Sequence, residues 1–219
     1  QHGAAMVVLA GLINALKVVK KNPRSSRLVI SGAGAAGQAI TDLLLLYGFK
    51  EIILLDSQGI ISRDRKDLDS HKKELLKKTN PRNVKGELPE ALVDADVFIG
   101  VSKAGILKPA YIKTMAVKPI VFALANPVPE IMPEEARKAG VTVIATGRSD
   151  FPNQINNSLG FPGIFRGALN NKVKIITKKM LVKAATNLAT LVSKPRPDYI
   201  IPDMFDKRVV KAVSKAIIT

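Results

Sequence analysis

Six consecutive residues, Gly32-Ala33-Gly34-Ala35-Ala36-Gly37, spell G-x-G-x-x-G. Alone, such a run is only a turn made of small residues. With a strand before it and a helix after it, it becomes a phosphate cradle. Gly32 then permits the tight turn, Gly34 lets the backbone come close to a pyrophosphate, and Gly37 lets the helix lie against the sheet. The helix start at Ala35 and Ala36 adds free N–H groups and a partial positive charge. Asp56 ends the next apolar run, about 20 residues past the glycines, where a carboxylate accepts from both ribose hydroxyls. These residues predict a site for NAD or NADP. Asp56 repels a 2′-phosphate, whereas Arg63, Arg65 and Lys72 lie close enough in sequence to offset it, so both cofactors stay open.

Three more polar stretches follow apolar runs: "GVSKAG" with Val101 and Ser102, "ALANPVPE" with Asn126, and "ATGRSDFPNQINNSLGFPG" with Asn156 and Asn157. In an open α/β sheet, ligands bind beyond the carboxyl ends of the strands, so these loops are expected to converge on the nicotinamide end. Asparagine offers a donor and an acceptor without net charge, which suits a substrate carboxylate and hydroxyl. Asparagines also favour turns for their own sake. Arg148 and Asp150 read as a structural ion pair. The only histidines are His2 and His71, and no metal-ligand spacing, paired carboxylates or Ser-His arrangement stands out. Lys103 lies near the site without an evident partner. The chain therefore predicts a cofactor pocket without a complete acid–base pair.

Such a pocket needs alternating strands and helices. Residues 27–32, 51–56, 95–102, 119–127 and 141–146 read as apolar strands, and 3–21, 35–48, 66–78, 109–115 and 133–140 as helices. Three amphipathic helices, 164–171, 177–194 and 206–218, follow the long loop. The pattern is α/β: a doubly wound, mainly parallel, Rossmann-like sheet with flanking helices, in one domain over 1–219.

Composition narrows the partners. The 219 residues carry 34 Lys and Arg against 18 Asp and Glu, a net charge of +16. That raises nucleic acid as a partner. Aromatics at 5% and lysines scattered among helices argue instead for a solvated basic surface around a small acidic ligand. No cysteine is present, which fits a reducing, cytoplasmic setting. No apolar run reaches the roughly 20 residues of a membrane span, the longest being "GAAMVVLAGLI". The start at Gln1, with neither Met nor a leader pattern, reads as the interior of a longer protein.

Together "QHGAAMVVLAGLINAL", "GAGAAG", "FIGVSKAG", "FALANPVPEIMPEEA", "ATGRSDFPNQINNSLGFPGIFRGAL" and "YIIPDMFD" resemble the short, bacterial and archaeal type of malic enzyme, over essentially the whole chain. The resemblance implies oxidation of L-malate with NAD or NADP, then metal-assisted decarboxylation (Mg²⁺ or Mn²⁺) to pyruvate. It assigns Asn126 and Asn157 to the substrate, and Gly34, Ala35, Ala36, Asp56 and Ser102 to the cofactor. The family's catalytic tyrosine and lysine and its metal-binding acids fall upstream of Gln1. Ala4 stands where a threonine near the cofactor is usual. The expectation is a dinucleotide-binding half that does no chemistry alone, joined to an upstream catalytic domain in a homo-oligomer. A lysine after the second strand goes with NADP in longer members, and Lys72 is the nearest match, one residue out of register. Two other readings stay open. One is another NAD(P)-dependent hydroxy- or amino-acid dehydrogenase, which would not need the long loop. The other is a basic Rossmann-like nucleic-acid or regulatory module, which would not need the asparagines.

Overall fold

Side chains of a strand point alternately to its two faces, and a strand covered on both faces must be apolar at every position. The computed structural model, which describes residues 2–218, shows that arrangement. Strands β1 (Arg27–Ser31), β2 (Glu51–Asp56), β3 (Gly59–Ile60), β4 (Val97–Gly100), β5 (Ile120–Ala123) and β6 (Val143–Thr146) form one sheet in the order β3-β2-β1-β4-β5-β6. All pairings are parallel except the short antiparallel β2–β3. Leu28, Ile30, Val97, Ile99, Ile120 and Phe122 point into one core. Val29, Phe98, Val121 and Ile144 point into a second core on the opposite face.

The first face is covered by α1 (His2–Val19), α2 (Ala35–Tyr47), α8 (Lys178–Thr190) and α9 (Arg208–Ser214). The other carries α4 (Leu88–Leu92), α5 (Pro109–Ile112) and α6 (Pro133–Lys138). Helices α3 (Ser70–Leu76) and α7 (Phe161–Asn170) complete the chain, with a 3-10 turn at Asn157–Leu159. From β1 the chain crosses to β2 on one side, and from β4 to β5 on the other. The β1–β4 boundary is thus the topological switch point, where a doubly wound sheet opens a crevice.

The sequence-based elements hold in type and order but not in their bounds: the strands expected over 95–102 and 119–127 are only Val97–Gly100 and Ile120–Ala123, and the helices expected over 164–171 and 206–218 run Phe161–Asn170 and Arg208–Ser214. The helix expected over 66–78 starts only at Ser70, because the Asp69 side chain caps it by accepting from the Lys72 amide. Two elements escaped notice. The two-residue β3 exists only through its pairing with β2. Helix α4 is started by the Glu87–Glu90 capping box, with Pro89 in its first turn.

Helix α1 also changes an expectation. It has 18 residues with mean hydropathy 1.7, long and apolar enough by length and composition to cross a membrane. Burial explains that character, since 78% of it lies inside the protein. It packs between α2 and α8, with Met6, Leu9 and Leu12 fully enclosed. Asn14, its one fully buried polar side chain, donates from Nδ2 to the carbonyls of Ala189 and Ile200 (both 2.9 Å). An Asn14→Leu substitution would take the side-chain donor from the Ile200 carbonyl and from the Ala189 carbonyl, which keeps only the Val192 amide, and urea denaturation should show a loss of about 2 kcal/mol. A loss below about 0.5 kcal/mol, the scatter of an ordinary surface change, would show that the two bonds do not hold the helix.

Candidate functional site

The glycine run joins β1 to α2. Gly32 adopts φ +118°, and a Cβ there would lie 2.7 Å from the Val101 carbonyl oxygen. A Cβ on Gly37 would fall 1.8 Å from the Gly32 oxygen, so the first turn of α2 rests directly on the end of β1. Gly34 is different: its backbone is ordinary, and a Cβ would meet nothing within 4 Å. Its role is towards what approaches from outside. The Gln38 Nε2 donates to the Ala33 carbonyl (2.9 Å) and braces the loop. Ala35 and Ala36 begin the helix, whose first amides have no partner within it.

Asp56 ends β2 beside this loop, as expected, but its carboxylate is already engaged. Arg65 grips it with two nitrogens (2.7 and 3.1 Å), Lys72 Nζ donates at 2.7 Å, and the Gln58 amide at 2.9 Å. Arg65 also pairs with Asp67. Burial alone would raise the Asp56 pKa, but Arg65, Lys72 and the Gln58 amide outweigh it and bring it down to about 2. The expectation that Arg63 shares this task is corrected: its guanidinium reaches the Pro81 carbonyl, and its amide donates to Asn83.

The remaining residues line the same edge. The Ser102 and Ser31 hydroxyls are 2.9 Å apart, linking the tips of β4 and β1. Asn126, exposed after β5, and Asn157, exposed at the 3-10 turn, make no side-chain hydrogen bond among the described residues, so both are free for a ligand. Asn156 instead caps the turn, its Oδ1 accepting from the Ser158 amide (2.9 Å). Arg148 and Asp150 form the expected ion pair (2.6 Å). The long loop is pinned by Asn153, which lay unremarked in the sequence. Its Nδ2 donates to the carbonyls of Ile144 and Pro197, and its Oδ1 accepts from the Ile200 amide.

Glu130 was also missed. It has no exposed surface. Its Oε1 accepts from the Ser102 amide (3.1 Å) and its Oε2 from the Ala125 amide (3.0 Å). Burial pushes its pKa up, against the lowering effect of those amides. An acid following two prolines in a polar loop carries little sign of burial.

These residues border one cleft in two lobes that share Val101 and Ser102. The first, about 1020 Å³, runs from Gly32 and Gly34 to Asp56, Lys72 and Lys108. The second, about 810 Å³, is bordered by Ala4, Ala36, Asn126, Arg148, Asn156 and Asn157. The glycine loop, Asp56 and the loops carrying Asn126 and Asn157 thus border one cleft along the carboxyl edge, spanning the switch point.

A family model described as malic enzyme, NAD binding domain, matches residues 1–219. The chain belongs to the malic enzyme family. The bifunctional malic/malolactic enzyme of Bacillus subtilis (strain 168) is 52% identical over 99% of this chain and 54% of its own length. The NAD-dependent malic enzyme of Geobacillus stearothermophilus is 50% identical over 100% of this chain and 46% of its own. The crystal structure of an NAD-dependent malic enzyme from Thermotoga maritima superimposes with a TM-score of 0.95 at 46% identity, over 99% of this chain and 58% of that one. The chain spans about half the length of these malic enzymes.

The last two glycines of the run separate binding from folding. Gly34→Ala should leave the thermal unfolding midpoint unchanged yet weaken NAD binding about tenfold or more, because its methyl would project where the pyrophosphate must come. Gly37→Ala should lower the midpoint itself. Equal behaviour of the two variants in both assays would refute this division. Asp56 supplies a pH test. Its folded pKa lies below the ordinary 3.8, so its stabilisation is fully present above about pH 4 and disappears as the pH falls towards about 2. The stability difference between the wild type and Asp56→Asn should therefore close over that window, and a difference constant with pH would contradict the pairing.

Proposed function

We propose that this chain is the dinucleotide-binding half of a malic enzyme that oxidises and decarboxylates L-malate to pyruvate and CO₂. The observation that carries the proposal is the single cleft in which the glycine loop and the two uncommitted asparagines share one sheet edge. Gly32, Gly34 and the first turn of α2 would hold the pyrophosphate, and Asp56 would face the ribose. The open space beside Gly34 and the free helix amides fit such a group. When bound, the nicotinamide supplies the hydride acceptor for the malate carbinol carbon. Asn126 and Asn157 orient the malate carboxylate with neutral donors, which avoids burying a further charge beside the reacting carbon.

Among the described residues no three His, Asp or Glu side chains are grouped so as to hold a metal ion. In this reading an upstream catalytic domain would supply the ligands for the Mg²⁺ or Mn²⁺ that the resemblance implies, and the proton-transferring tyrosine and lysine.

NAD is the favoured cofactor in this reading, because Asp56 and Asp69 both line the ribose end of the cleft. The Lys72 and Arg65 pair on Asp56 favours a second outcome, use of NADP: moved onto a 2′-phosphate, Lys72 would turn from neutralising an acid to binding an anion.

Calorimetric titration of the 219-residue chain should show binding of NAD that is indifferent to malate and Mn²⁺, with no malate-dependent NADH formed. Turnover by the chain alone, or no binding of either dinucleotide, would defeat the proposal. Lys72→Gln should shift the NADP/NAD affinity ratio about tenfold towards NAD. An unchanged ratio would remove Lys72 from cofactor choice.

A further inference from the structure

An ionised carboxylate without exposed surface is costly, and one is normally retained with a cationic partner. Glu130 has none: among the described residues no Lys, Arg or His pairs with it, and its oxygens accept from main-chain amides. Those two amides have a special place. The last ladder bond of the β4–β5 pair runs from the Leu124 amide to the Gly100 carbonyl (3.0 Å). Beyond it the strands part, and the Ser102 and Ala125 amides lie past the reach of the sheet. Glu130 continues the ladder by one rung, with a side chain in place of a strand.

The rung is built from both sides. Gly100 leaves room for it, because a Cβ there would lie 2.2 Å from the Glu130 carboxyl carbon. Its own main chain is latched to the loop after β4: the Gly105 amide donates to the Pro129 carbonyl, and the Leu107 amide to the Glu130 carbonyl (both 3.1 Å). With its oxygens buried and committed, Glu130 is not placed to take a proton from a ligand. It also occupies both amides, which leaves the partnerless amides at the start of α2 for an anion.

What these bonds control is the spacing of two loops. One carries Val101 and Ser102, shared by the two lobes, and the other carries Asn126 directly after Ala125. We propose that Glu130 is the positioning residue of the nicotinamide half of the cleft: by tying the Ser102 and Ala125 amides to one buried carboxylate, it sets the separation at which Ser102 and Asn126 meet the ligand. The inference rests on the dinucleotide reading above.

Glu130→Gln retains the shape but has a single acceptor oxygen; its NH₂ would face one of the two amides and release that loop. Binding of NAD, which spans both halves, and of ADP, which fills only the adenosine and pyrophosphate half, separates positioning from general damage. Calorimetry should show NAD affinity falling about tenfold in Glu130→Gln while ADP affinity stays within about twofold. Unchanged NAD affinity overturns the proposal. So does an equal fall for both ligands, which would mean a merely structural role. If the variant does not fold, amide hydrogen exchange in the wild-type chain decides the matter. The Ser102 and Ala125 amides should be protected without ligand, and exchange at loop rates would overturn the clamp. If the wild-type chain binds neither NAD nor ADP, the dinucleotide reading falls and this inference with it.

Discussion

The contact on which the rest depends is the one between Gly37 and Gly32. Two backbones meet there with no side chain between them, and the start of a 13-residue helix is thereby set against the edge of a parallel sheet. Packing of α1 and α8 against α2 prevents the helix from lifting away. Unpaired amides and the positive end of the helix dipole are thus held at the switch point between β1 and β4, where the topology already opens a crevice. Other features of the cleft only decide what kind of anion-bearing molecule fits.

Charge is distributed unevenly along the cleft. At the ribose end, Asp56, Arg65, Lys72 and Asp67 form a dense ion network near solvent. At the other end Asn126 and Asn157 are neutral, the charges of Arg148 and Asp150 are paired with each other, and Glu130 is sealed behind the loops. One end of the cleft is thus held by a network of ion pairs, and the other by uncommitted amides and a single surface ion pair.

Most of this architecture was legible because its causes are local. Strands buried on both faces are written as unbroken apolar runs, and a phosphate loop requires glycines at fixed offsets. What stayed hidden depends on distant residues. β3 exists only because β2 lies beside it. Nothing near Glu130 announces its burial, which is permitted by a missing side chain at Gly100, thirty positions earlier. Arg63 and Arg65 are equally plausible partners for Asp56 on sequence distance; the course of the chain after β3 selects the second. Asn153 and Asn157 sit in the same loop and look alike, yet one bolts the loop to residues 197–200 and the other faces the cleft. Residue type marked the loop as special, and only the fold divided the work within it.

Helix α1 has a consequence for how the chain is made. Its polar anchors, the carbonyls of Ala189 and Ile200, lie 175 and 186 residues later in the sequence. During synthesis the most apolar helix therefore leaves the ribosome long before the α8 surface that covers it exists. At about 5–20 residues per second, the wait lasts on the order of ten seconds or more. In that interval an 18-residue greasy segment is a substrate for any factor that recognises nascent hydrophobic helices, including those that direct chains to membranes. The stability of the finished core thus comes with a period of vulnerability during translation, and the pace at which the last helices emerge sets its length.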